Sequence, residues 1–537
     1  MKIEIYIENA RNYQFENGEL WFKGFLHNWE AFFTAIKNIS LSNKKNTYDQ
    51  LLLIIEKLDG QFSFVFRSNE ITIAVCDRIR SHPLFYSSKN DKFYITDRAQ
   101  NIKNILGSPR LNKKAITCIK MSGYAYGNNT IYEELYQLPA GNILKVNNSN
   151  ARSDISRYYN YSPWKSNEYN LKYPKKDLSD LMLNMYEKLI KSINGRSICI
   201  SLSAGLDSRA IVSGLHHLGY KKVKCFSYGL QNNYEATAGK KIAEKLNYPY
   251  YFIKKTPAIM RASFQSDQYK EFTHYTDTYA STPPLHQFYS VKKLKEAGFV
   301  SEEDIFINGY SGDFLTGGHI TQEIKDANLF DTLKRKENIL QHIITKHYSL
   351  WENQKDLENT KLIKEIAWEQ LNHIFESETK EIIDYAICEN FEWKNRQTLY
   401  SMNQPRIYEY WGHDWRLPLW DYDFMDFWEK VPLSLKFNQK LYRETLFENN
   451  WGDVWQNSHY PVYRSPSYLT PIRAILYIAM LPLGRKRWED VNKRYFDYWT
   501  EILCYMGIVN YGKVIRDKRG YRHAISWLTE LYLNDKG

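Results

Sequence analysis

The sequence predicts an α+β and α/β protein: a layered α+β unit in front, then a doubly wound parallel sheet whose C-terminal part is helical. Three observations predict it. Strand-like alternation fills the first 150 residues, a strand–turn–helix–strand–helix run occupies residues 197–246, and the pattern beyond residue 320 is largely helical. At 537 residues the chain is also long for one core, which favours two domains.

Taken in order, Ile3, Ile5 and Ile7 alternate with polar residues, as does the run 20–25. Residues 61–66 and 70–76 read as two strands joined by a Ser68-Asn69 turn, and 93–96 and 143–146 as two more. Helical patches at 29–39 and 47–58 interrupt them. Residues 147–175 are polar and rich in Asn, Ser, Tyr and Lys, which suits a linker. A helix is expected over 178–193, a β-branched strand over 197–202, a helix from Asp207 to Leu218, a strand over 223–228 and a helix over 235–246. The apolar stretch 472–483, flanked by Arg473, Arg485, Lys486 and Arg487, has two readings. It either docks on a membrane surface or forms a buried helix closed by Pro482-Leu483-Gly484, and the buried helix is favoured.

Lysine plus arginine exceeds aspartate plus glutamate by 72 − 61 = 11. That mild excess favours anionic ligands but lacks the concentrated basic stripe of a nucleic-acid binder, so no nucleic-acid partner is expected. The six cysteines are scattered, without a C-x-x-C pair or zinc-like spacing. Met1-Lys2-Ile3-Glu4-Ile5 does not open a signal peptide, and no apolar run is long enough to span a bilayer. A reduced, cytoplasmic protein is the expectation.

The chemistry is carried by Ser203-Ala204-Gly205-Leu206-Asp207-Ser208. A buried strand ends there, small residues turn the chain, and a helix begins. Uncovered backbone N–H groups and the positive end of the helix then face one spot, which is how a fold holds phosphate. The loop has no lysine and no Walker A pattern. A carboxylate at Asp207 beside phosphates makes sense if it holds Mg²⁺. A serine-rich helix cap explains these residues singly, but not their order after a buried strand.

This segment resembles the S-G-G-x-D-S PP-loop of the asparagine synthetase family. Cys225-Phe226-Ser227-Tyr228-Gly229 is similar to the family's second strand, and Glu235 with Ala243–Leu246 to the acid and helix that follow. Asn308–His319 resembles S-G-E-G-x-D-E-x-x-G-G-Y, Arg416-Leu417-Pro418-Leu419-Trp420-Asp421 resembles R-x-P-F-x-D, and Lys440–Arg443 its lysine–arginine element. The resemblance implies an Ntn-hydrolase-like glutaminase domain over 1–160 and a PP-loop ATP pyrophosphatase domain over 170–537. It implies ATP held by Leu202, Ser203, Gly205, Ser208, Tyr228, Asn308 and Gly309. It further implies Mg²⁺ shared by Asp207 and Asp313 with Glu235 in support, and catalytic positions at Asp207, Asp313, Lys440 and Tyr310.

In front, Leu58–Phe64 and Cys76–Tyr86 resemble the glutaminase patterns D-G-x-F-A-F and R-D-x-x-G-x-K-P-L-Y-Y, and Thr130–Tyr132 and Leu138–Gly141 that domain's exit. Active members carry cysteine after the initiator; here Lys2 stands there, and no cysteine precedes Cys76. Only 57 residues precede Leu58, too few for the glutamine-binding loops, so a structural remnant without glutaminase activity is expected. Tyr310 and Phe314 replace the two glutamates of the G-E-G-x-D-E pattern. The family's late lysine has no clear counterpart; His459, Tyr463 and Arg464 lie in its region, and Arg464 either supplies the charge or is a surface residue.

The resemblance implies an amide-forming ligase that consumes ATP. The acceptor is a small-molecule or sugar carboxylate, a uronic acid of a surface polysaccharide being one candidate, and the nitrogen is ammonia, from a separate glutaminase where needed. Two other readings are an internal amide, as in β-lactam synthetases and lasso-peptide cyclases, and a non-catalytic scaffold. A homodimer is compatible with each.

Overall fold

The computed structural model describes residues 2–41, 47–164, 172–326, 332–376, 384–456 and 469–536. The front of the chain forms two stacked sheets. Their strands are β1 (Lys2–Tyr6), β2 (Arg11–Phe15), β3 (Gly18–Leu26), β4 (Gly60–Ser68), β5 (Ile71–Cys76), β6 (Phe85–Lys89), β7 (Lys92–Thr96), β8 (Tyr136–Gln137), β9 (Asn142–Asn147) and β10 (Ser153–Arg157). One sheet runs β1-β7-β6-β8 and the other β10-β9-β5-β4-β3-β2. Strand β4 shows why the layers close. Phe62, Phe64 and Phe66 point to one face, under helices α1 (Trp29–Leu41) and α2 (Thr47–Ile55), and Val65 points to the other, against Leu84, Phe93 and Ile95 of the second sheet. Helices α3 (Ala99–Leu106) and α4 (Lys113–Ser122) cover the outside of the four-stranded sheet through Ile102, Leu106, Ala115 and Ile119. The result is an α/β/β/α sandwich.

One expectation fails here. Within the polar stretch 147–175, residues 153–157 are strand β10, paired antiparallel with β9, Ile155 opposite Leu144. An edge strand with a single partly buried apolar residue carries no alternation to read.

The third sheet is wholly parallel, in the order β13 (Tyr250–Lys254), β12 (Val223–Gly229), β11 (Ile198–Ser201), β14 (Ile305–Ile307), β15 (Trp415–Arg416). Helix α5 (Pro174–Ile193) precedes β11, α6 (Leu206–His217) follows it, and α7 (Tyr234–Lys245) follows β12. The chain steps outward from β11 to β13, then crosses to the other side at β14. That reversal opens a crevice at the carboxyl ends of β11 and β14, where ligands of such sheets bind. The two halves are pinned to each other: the Gln61 amide donates to the Leu417 carbonyl at 2.8 Å and accepts from the Leu417 N–H at 3.1 Å.

The stretch 472–483 corrects the second expectation. The helix Leu469–Met480 contains no buried residue, and Ile475 and Ile478 are 68% and 64% exposed. Its composition is that of a core helix, but among the described residues no element buries its outer side. Among the described residues no helix is long and apolar enough to cross a membrane.

Candidate functional site

Strand β11 ends at Ser201, and the chain turns through Leu202–Gly205 into α6, whose N-cap is Gly205. The turn is held by its own side chains. The Ser203 N–H donates to Ser208 Oγ at 3.3 Å, and the Gly205 N–H donates to Ser203 Oγ at 3.1 Å. Glu235, in the first turn of α7, accepts the Ala204 N–H at 2.7 Å. The acid expected to support a metal therefore serves the loop backbone.

Across the crevice, β14 leads into the segment 308–312. The Asn308 amide donates to the Tyr408 hydroxyl at 3.1 Å, which donates to Gln287 Oε1 at 2.6 Å. Ser311 adopts a left-handed backbone, φ 64°, and the short helix Gly312–Leu315 then carries Asp313 to Asp207. The Asp313 N–H donates to Asp207 Oδ2 at 3.0 Å, whereas Asp207 Oδ1 is buried with no protein partner. Such closeness requires glycine: a Cβ at Gly309 would stand 2.9 Å from the Asp207 Cβ.

Burial, then the neighbouring Asp313 carboxylate, pushes the Asp207 carboxyl well above its ordinary range. Burial acts the same way on Asp313, but the hydrogen bond and charge of His319 outweigh it and hold its carboxyl low. His319 Nε2 lies 3.0 Å from Asp313 Oδ2, and its Nδ1 meets the buried Glu392. Burial alone would lower the His319 value; Glu392 and Asp313 together lift it to about 9, an imidazolium at neutral pH. Glu392 in turn accepts from Gln397 Nε2 at 2.9 Å and pairs with Lys346 at 2.8 Å. It sits just before the π-helical stretch Trp393–Tyr400 that carries Gln397, a widened geometry found often at functional sites.

The turn after β11, the segment 308–311 and Asp313 line one cavity of about 390 Å³, with His319 and Glu392 behind Asp313. It brings together Leu202, Ser203, Gly205, Asp207, Ser208, Tyr228, Asn308, Gly309, Tyr310 and Asp313, and Glu235 also reaches it. Lys440 is not among them: it opens the helix Lys440–Asn449 as an exposed side chain. Two residues on, the buried Tyr442 lies beside Asp207, and burial with that carboxylate's charge pushes its phenol well up. His459, Tyr463 and Arg464 lie outside the described residues. Phe314, which stands at a glutamate position of the resembled motif, is a core residue against Tyr161 and Trp420. Sequence reasoning missed Ser227, Gln287 and Ser311, and above all Ile502 and Leu503, which reach the cavity from the far end of the chain. The Leu230 N–H donates to the Ile502 carbonyl at 2.8 Å and fixes that wall. No motif signals it.

The donor set suits a small hard cation: two carboxylates, one with an orphaned buried oxygen, beside the uncapped N-terminus of α6. A second carboxylate group, Asp59 with Asp421 and His27, differs in kind. There the Lys188 ammonium already stands 2.9 Å from Asp59, 3.2 Å from Asp421 and 2.6 Å from Asp423.

Comparison with known proteins fits this geometry. A family model described as asparagine synthase matches residues 191–447, and one described as a glutamine amidotransferase domain matches residues 52–159. The chain has the architecture of the asparagine synthetase family. No curated protein matches it. Among solved structures, an allosteric regulatory enzyme of purine biosynthesis is 13% identical, covering 47% of this chain and 63% of its own, at a TM-score of 0.20. A glutamine phosphoribosylpyrophosphate amidotransferase from B. subtilis is 13% identical, with 56% and 64% covered and a TM-score of 0.20. An NH3-dependent NAD synthetase from Campylobacter jejuni is 14% identical, with 42% and 93% covered and a TM-score of 0.22. The chain thus spans less than two thirds of the first two proteins.

Proposed function

We propose that this asparagine synthetase-family chain is an ATP-dependent, amide-forming ligase. A carboxylate oxygen attacks the α-phosphorus of ATP and pyrophosphate leaves; a nitrogen then attacks the acyl carbon and AMP leaves. The observation that carries the reading is the convergence on one cavity of the N-terminus of α6, which no side chain caps, and the Asp207–Asp313 pair. Ser203, Gly205 and Ser208 orient the pyrophosphate. Leu202, Tyr228, Ile502 and Leu503 make the apolar end suited to the adenine ring. Asp207 and Asp313 would hold Mg²⁺, which when bound supplies positive charge against the phosphates.

On the acceptor side, burial pushes the Tyr310 phenol well above its ordinary value. Tyr310 therefore keeps its proton at neutral pH and acts as a hydrogen-bonding group that positions the nitrogen. We favour a sugar or small-molecule carboxylate as acceptor, a uronic acid included, with ammonia as nitrogen source in a nucleotide-containing compartment such as the cytoplasm. The test is product analysis. With ATP, Mg²⁺ and a panel of carboxylates the protein should release pyrophosphate and AMP, with amide formation dependent on ammonium. ADP and orthophosphate would overturn the mechanism, and turnover indifferent to ammonium would favour an internal amine.

Glutamine should not replace ammonium. All six cysteines are buried, and burial pushes the Cys76 thiol up to about 12, which leaves no thiolate to attack an amide at neutral pH. Incubation with glutamine is expected to yield no glutamate above background, and enzymatic glutamate release would refute this.

A further inference from the structure

The helix Leu469–Met480 turns through Leu481–Leu483 into a second helix, Arg485–Tyr495, and the pair forms a hairpin. The first helix packs against that turn and that second helix. Arg473 Nε donates to Asn492 Oδ1 at 3.0 Å, so the polar position of the first helix faces its partner. Ile472, Ile475 and Ile478 are left outward, and Leu481 and Leu483 continue the apolar surface at 54% and 64% exposed. Exposed aliphatic residues this closely spaced do not belong to an ordinary solvated face.

The charge around them is mainly positive, Glu489 and Asp490 being the hairpin's two acids. No aspartate or glutamate occurs between Asp453 and Glu489, whereas Arg473, Arg485, Lys486 and Arg487 lie at or beside the apolar surface. Arg485 is ion-paired with Glu489 at 2.7 Å, and Lys486 and Arg487 are exposed at the hairpin's tip. Tyr477 and Trp488 make an edge contact at 5.4 Å on the same hairpin, two residue types that favour the boundary between lipid and water. Twelve residues of helix reach about 18 Å, short of the roughly 30 Å hydrocarbon layer. An apolar helix too short to span, ringed by cations, fits the plane of an anionic bilayer surface. A second copy of the chain fits less well, because it would bring identical cations face to face.

We propose that the hairpin 469–495 docks the protein on the surface of a bilayer that carries anionic headgroups. The aliphatic side chains enter the acyl boundary and the tip cations meet the headgroups. The docking claim stands on the hairpin alone, whatever reaction the cavity performs. It has a bearing on that cavity, since the chain runs from the hairpin through the short helix Asp497–Thr500 into Ile502 and Leu503 of the cavity wall.

The test is co-sedimentation of the full chain with vesicles of phosphatidylcholine alone, or of equal parts phosphatidylcholine and phosphatidylglycerol. The anionic vesicles should be bound at least about tenfold more tightly, the scale set by a few basic residues near such a surface. Ile475→Asp with Ile478→Asp should abolish binding without lowering the melting temperature, because both side chains are exposed. Charge reversal at Lys486 and Arg487 should remove the preference for anionic vesicles. The proposal is overturned if the wild-type chain ignores both vesicles or binds them equally, or if the isoleucine variant binds as before. It is also overturned if light scattering shows a dimer that this variant dissociates.

Discussion

Asp207→Asn abolishes pyrophosphate release while leaving the protein folded, with a loss of at least about a thousandfold, roughly 4 kcal/mol of barrier. Asparagine keeps the shape and still accepts the Asp313 N–H, so only the charge is removed. The same variant reads out the electrostatics of the carboxylate pair. Because the folded state holds the Asp207 carboxyl above its ordinary range, it binds more protons there than the unfolded chain does. Wild-type stability without metal therefore falls as pH rises from the ordinary carboxylate range towards the raised value. The Asp207→Asn protein should lack that slope, and added Mg²⁺ should offset it in the wild type alone. Melting curves across pH with and without Mg²⁺ check this, and parallel curves for the two proteins would show that the carboxylate pair is misassigned.

Gly312→Ala is the second large effect. An added Cβ would stand 2.4 Å from Leu419 Cδ1 and 2.5 Å from the Asp207 Cγ, separations that real side chains do not tolerate. Leu419 is fully buried, so the Asp207 carboxylate must move. We expect about 1–3 kcal/mol of lost stability, together with a loss of pyrophosphate release approaching that of Asp207→Asn. Gly205→Ala is the control: its Cβ meets only Ser203 Oγ, at 3.2 Å, and activity should change by a few-fold. Equal behaviour of the two alanine variants in thermal melts and turnover would count against the tight Asp207–Gly312 contact.

Much of the site was legible because it lies in short runs with a physical reason for their order. Small residues after a buried strand announce a tight turn into a helix N-terminus, and Ser203–Ser208 is that turn, although its Ser203, Ala204 and Gly205 N–H groups are held by Ser208, Glu235 and Ser203. Asp313 was legible through its glycine-rich surroundings, which the structure explains by the press of Gly309 and Gly312 on Asp207. The rest depends on who packs against whom. Glu235 reads as a metal supporter, and nothing in its letter foretells that its carboxylate also accepts the Ala204 N–H. Lys440 carries the matching letter, yet helical phase turns it outward and turns Tyr442 inward. The helix 469–480 has the hydropathy of a core element, and hydropathy records what a side chain avoids, not what covers it.

The join between Leu230 and Ile502 has a consequence for how the protein comes into being. Residues that follow β12 and residues translated 272 positions later (502 − 230) close the same cavity, and the terminal helix Ala524–Lys536 then locks back on Asp277 through Lys536 at 3.0 Å. A growing chain that has passed β12 but has not reached residues 502 and 503 has the turn Ser203–Ser208 but lacks this wall of the cavity. The cavity cannot close until that later segment has been made and has folded back onto Leu230.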